Sequence, residues 1–149
     1  MTSPSASAAF PVARFLFVIA ATSAALAVLV TVVKIGGLVD QEIYKGVILG
    51  LCSATLSHVL GTFAGAFFAA RMLSAGRGAG SMVSAYLAST TVRFMATPAL
   101  ALSLYFLLPQ KPAPLLLGAA VGHLLIMVAD IAAVMRYLQG SAGSSAPNA

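Results

Sequence analysis

The chain has 149 residues, of which 60% are hydrophobic and 7% charged, and its mean hydropathy is +1.02. A soluble domain carries about 25% charged residues, so this composition excludes one and defines an integral membrane protein. The net charge of +5 comes from basic residues scattered at the ends of apolar stretches, not from a dense cluster, which excludes a surface for tracking nucleic acid.

Four apolar stretches, 15–33, 46–70, 82–108 and 113–135, fill most of the chain. Each reaches or approaches the roughly 20 residues that a helix needs to cross a bilayer. The apolar residues run continuously instead of alternating in segments of about ten, which excludes a barrel. Backbone groups in lipid must bond internally, so helices remain. The predicted fold class is therefore all-α: an integral membrane bundle of four transmembrane helices in two antiparallel hairpins. It forms one domain over 11–138, between disordered tails at 1–10 and 139–149.

The first helix is predicted from near Pro11 and Arg14 to Val33. Its apolar run exceeds the usual 7–15 residues of a cleaved signal peptide, so it is expected to stay. A loop with Lys34, Asp40, Glu42 and Lys45 leads to the second helix, Tyr44 to Ala70. The loop RMLSAGRGAGS, with Arg71 and Arg77, leads to the third, Met82 to Leu107. This loop lacks the Gly-Lys-Ser/Thr ending of a phosphate loop. The turn PQKPAP, with Lys111, leads to the fourth helix, Pro114 to Tyr137. Arg14, Arg71, Arg77 and Arg136 fall on one side, and Lys34, Lys45 and Lys111 on the other. The positive-inside rule then places both termini in the cytoplasm.

Within the apolar stretches lie Arg93, Asp130, His58 and His123. An arginine at mid-membrane costs roughly 2.5–3.5 kcal/mol on insertion scales, so a partner is expected. At 1.5 Å per residue, Arg93 and His58 lie roughly 21 Å from the outer ends of their helices, Asp130 roughly 25 Å and His123 roughly 15 Å. Arg93 and Asp130 are thus predicted to form an ion pair that fixes helix register or serves function. His123 and Asp130, seven apart, share a helix face. The two histidines could ligate a haem axially, but no attachment motif accompanies them. No cofactor is expected, and a metal site lacks ligands. Cys52, the single cysteine, excludes an internal disulfide and a multi-thiolate site. A dedicated proton relay would show more titratable groups. No catalytic constellation emerges, so the chain is expected not to be an enzyme.

Packing signals are plainer. Gly61-x-x-x-Gly65 and Gly118-x-x-x-Gly122 permit close backbone approach. Ala85, Ser89, Arg93 and Thr97 recur every four residues, a small-residue face around the arginine. Pro98 removes the donor to the carbonyl of Phe94 and predicts a kink or loosened turn.

FFAAR at 67–71, TTVRFM at 90–95 and LLLGAAVGHLL at 115–125 together resemble the ATP synthase protein I family of small four-helix membrane proteins associated with F-type ATP synthase. The likeness covers roughly 44–138. His58 stands where the family frequently has Asn, and His123 where it often has Gln. The resemblance implies a bacterial-type inner membrane and a non-enzymatic accessory role, assisting assembly or stability of the ring of c subunits. It also admits a small channel or transporter subunit for magnesium or calcium. A structural or haem-bearing subunit of a respiratory complex is a further alternative. The expected partners are the lipid bilayer and c subunits, with Arg93 available to recognise a carboxylate. The oligomeric state stays open.

Overall fold

The computed structural model describes residues 11–76 and 80–143; side chains are described except at 80–82 and 137–143. Four helices follow in order: α1 (Val12–Ile35), α2 (Gln41–Ser74), α3 (Gly80–Leu107) and α4 (Pro112–Gly143). All four are long and apolar enough to cross a membrane, and the chain is a multi-pass helical membrane bundle. At 34 residues, α2 is about 51 Å long, beyond the roughly 30 Å hydrocarbon core.

Local chemistry sets the ends. Asp40 caps α2, its carboxylate accepting from the Ile43 amide at 2.7 Å. The turn before it needs Gly37, whose φ of +73° suits glycine alone without strain. This cap starts α2 three residues earlier than the expected Tyr44. The α4 helix continues to Gly143, past 139, where a tail was expected, because no proline interrupts it before Pro147. The rest of that tail, 144–149, and the N-terminal tail, 1–10, lie outside the described residues. The α3 helix runs through Pro98 without interruption.

Helix α2 is the centre of the bundle. It packs along α3, α4 and α1, whereas α3 and α4 meet less closely and α1 lies to one side. Its buried positions include Gly46, Gly50, Ala54, His58, Gly61, Gly65 and Ala69, a three-to-four-residue spacing that holds one broad face inward. The α2–α4 seam shows how this works. A Cβ at Gly46 would lie 2.8 Å from Pro114, one at Gly50 would strike the backbone of Leu115 to Ala119, and one at Gly118 would strike Val47. One at Gly122 would lie 3.2 Å from Ala54. The pairings 46–114, 50–118 and 54–122 keep a constant register, so the two helices run parallel with small residues face to face. Among the described residues α1 buries only Phe15 and Ile19, and most of its surface is left to lipid.

Candidate functional site: a polar network between three helices

Arg93, Asp130, His58 and His123 converge inside the bundle. Their exposures are 1%, 0%, 0% and 7%. Helix α3 brings Arg93 inward on the face of Ala85, Ser89, Thr97 and Ala101, all buried. Helix α4 supplies His123 and Asp130 from the stripe that also carries Gly118, Gly122 and Ile126. Helix α2 supplies His58 between Ser57 and Thr62.

The hydrogen bonds form one chain. A terminal guanidinium nitrogen of Arg93 donates to Asp130 Oδ2, and the other donates to Thr62 Oγ1 at 3.0 Å. Thr62 in turn donates to the carbonyl of His58 at 2.9 Å. His58 Nδ1 lies 3.3 Å from the same carboxylate oxygen, and His58 Nε2 lies 3.2 Å from His123 Nδ1. Thr97 Oγ1 lies 2.9 Å from His123 Nδ1 and 2.6 Å from Ser57 Oγ, and it donates to the carbonyl of Arg93 at 2.8 Å.

These contacts order the protons. A carboxylate paired with arginine can only accept, so His58 carries its proton on Nδ1. His58 Nε2 and His123 Nδ1, 3.2 Å apart, share a hydrogen bond. His123 Nε2 is buried without a hydrogen-bond partner among the described residues. The ring stands edge-on to Phe94, with centroids 4.9 Å apart. Asp130 Oδ1, Arg93 Nε and Ser89 Oγ are likewise buried without a partner, each at a desolvation cost.

Close packing and the network depend on each other. A Cβ at Gly61 would fall on Arg93 Cγ and lie 2.8 Å from both Arg93 Nε and the carbonyl of Ser89. Glycine there is what lets the guanidinium cross from α3 toward α4. Thus Gly61, Gly118 and Gly122 serve contacts within this chain, and Gly65 is buried on the same face of α2. Arg93 does not face outward. Its availability to a foreign carboxylate, an expectation from sequence, is corrected by its internal pairing and burial.

Sequence reasoning missed Gly46-x-x-x-Gly50, a readable signal of the same kind as the two glycine pairs it found. It also missed Thr62, whose polar side chain looks ordinary in a helix. The axial haem arrangement does not fit the geometry: the histidines bond each other at 3.2 Å, whereas an ion bridging two imidazoles at about 2.0–2.1 Å each needs roughly 4 Å. Among the described residues no group of three or more His, Cys, Asp or Glu side chains forms a metal-holding cluster. His58 spends both nitrogens on neighbours, so the constellation is a relay of hydrogen bonds and not a chelate.

No family model, curated protein or solved structure matches this chain. The class of protein is set by its helices alone: a multi-pass, four-helix membrane protein with a charged network at its core.

Proposed function

We propose that this chain is a non-enzymatic accessory factor of a membrane complex, acting through its outer helix faces while the polar network holds the bundle rigid. The observation that carries this reading is the internal closure of Arg93 on Asp130 and Thr62. The charge is used to join α2, α3 and α4, leaving large apolar side chains such as Phe63, Phe67, Leu87 and Leu124 exposed for lipid or partner helices. The resemblance of 44–138 to ATP synthase protein I supports one assembly in particular, the F-type ATP synthase with its ring of c subunits. It also supports a bacterial-type inner membrane, and the basic ends support cytoplasmic termini. In this reading the c-subunit hairpins meet an apolar surface, and Arg93 shapes that surface from within. Magnesium or calcium passage is weakly supported, because those ions need several oxygen ligands and Asp130 is already engaged.

The test is cell-free synthesis of c subunits into liposomes with and without this chain. The reading predicts a higher yield of assembled rings with it. An unchanged yield refutes the assembly role.

A second reading is proton handling within the membrane, favoured by the file His123–His58–Asp130. It predicts that liposomes containing the protein dissipate a pH gradient faster than empty ones, and that His58→Phe abolishes the difference.

A further inference from the structure

At the end of the bundle where α1 begins, α1 and α4 leave a groove of about 360 Å³ between them. Arg14 and Arg136 stand at its mouth. Phe17, Val18, Ala21 and Thr22 form one wall, and Ala129, Ala132 and Ala133 the other. The two helices run in opposite directions, so both walls descend from an arginine into the apolar part of the membrane. From Arg14 to Thr22 the wall is roughly 12 Å long at 1.5 Å per residue.

Among the described residues the arginines have no acid to meet. The chain holds three acidic side chains. Asp130 is buried and taken by Arg93 and His58. Asp40 and Glu42 lie at the opposite end, where Glu42 pairs with Lys111 at 2.6 Å. Arg14 and Arg136 make no ion pair among the described residues, and both are exposed. Two unpaired guanidiniums over a narrow apolar slot match one kind of molecule: a phosphate attached to a hydrocarbon tail. Guanidinium binds phosphate through paired N–H donors, and basic pockets between transmembrane helices suit anionic headgroups. The alanines keep the slot open, because a larger side chain would fill it.

We infer that this groove is a binding site for one anionic phospholipid, with its phosphate between Arg14 and Arg136 and an acyl chain along Ala129, Ala132 and Ala133. The site is separate from the central network and independent of the accessory role. Its consequence is structural: the lipid seats the lightly buried α1 against α4 and makes this end of the bundle sensitive to the anionic content of the leaflet.

The experiment is native mass spectrometry of the whole protein, reconstituted in vesicles of phosphatidylcholine with phosphatidylglycerol as a minor component and extracted in mild detergent. The wild type is expected to retain phosphatidylglycerol over the more abundant neutral lipid. Arg14→Gln with Arg136→Gln is expected to weaken retention about 10- to 30-fold, from about 1 kcal/mol per basic residue. Ala132→Phe fills the slot and keeps both charges, and is expected to lose the lipid as well. Arg71→Gln changes a basic residue that stacks over Phe67 away from the groove, and is expected to retain it. Circular dichroism of each variant confirms that helix content is unchanged. Equal retention by all variants, no preference of the wild type for the anionic lipid, or displacement of the lipid by inorganic phosphate with Ala132→Phe unaffected would each overturn the site.

Discussion

Removing Asp130 should destabilise the bundle far more than removing Asp130 and Arg93 together. In Asp130→Leu, the buried Arg93 loses the carboxylate it is paired with, and breaking a buried pair from one side costs about 3–5 kcal/mol. Arg93→Met leaves the carboxylate with His58 alone and costs about the same. If the two acted independently, the losses would sum to about 6–10 kcal/mol. The double variant Arg93→Met with Asp130→Leu removes both charges and refills most of the volume. What remains is His58 Nδ1–H without an acceptor, a buried unsatisfied donor worth about 1–3 kcal/mol. Replacing a buried pair with apolar side chains is often neutral, so the double variant is expected to lose only that amount. Reversible unfolding in mixed micelles, measured by steric trapping or denaturant titration, reads all four corners of the cycle. A double variant as unstable as the sum of the singles would refute the ion pair as a unit. A single loss below about 1 kcal/mol would show Arg93 to be solvated elsewhere.

The glycine seam makes a graded prediction: Gly118→Ala drives a Cβ into the Val47 backbone, whereas Gly122→Ala meets the movable Leu51 side chain at 2.9 Å. The first is expected to cost about 1–3 kcal/mol and the second less, by thermal melting in detergent. Beside that seam, where α2 and α4 begin, the Glu42 carboxylate accepts a hydrogen bond from Lys111 and holds the ammonium above its ordinary pKa. Charge pairing of this sign favours the folded state at neutral pH and fades as pH rises through the raised pKa. Because the pair is exposed, Glu42→Gln should return the Lys111 titration toward its ordinary range in an NMR titration with little change in melting. For orientation, Ser74→Cys and Gln41→Cys in a Cys52→Ser background should differ in intact cells. An impermeant maleimide is expected to label position 41 and spare position 74; the reverse pattern overturns the proposed topology.

Much of the architecture was readable from the chain itself. Long uncharged runs leave no alternative to helices in a bilayer, and the every-four spacing of Ala85, Ser89, Arg93 and Thr97 marked a packing face of α3, which the structure turns inward. Ala101, one step further, extends that face. Depth counted from helix ends brought Arg93 near Asp130. It separated the histidines more than the structure does, because the ends of α2 and α4 are not level. The seam pairs position 46 with 114, so α2 begins about three residues, or roughly 5 Å, further out than α4. His58 then sits between the levels of His123 and Asp130 and reaches both. Which helices face each other is a property of packing, and a single helix pattern does not encode it. Gly46 and Gly50 were visible as a close-approach signal, but only the α2–α4 register gives them a partner. Thr62 carried no signal, since a threonine that bonds its own helix becomes part of a network only when an arginine from α3 arrives.

The measurement that bears most directly on the account is co-purification of the tagged wild-type protein beside the charge-free double variant Arg93→Met with Asp130→Leu, from the native membrane in mild detergent. The account predicts that ATP synthase c subunits accompany both proteins, because recognition lies on the outer faces and the charges act within the bundle. Wild type without c subunits would contradict the assembly reading. Recovery with wild type and loss with an equally stable double variant would contradict the internal role of Arg93 and return that arginine to the interface.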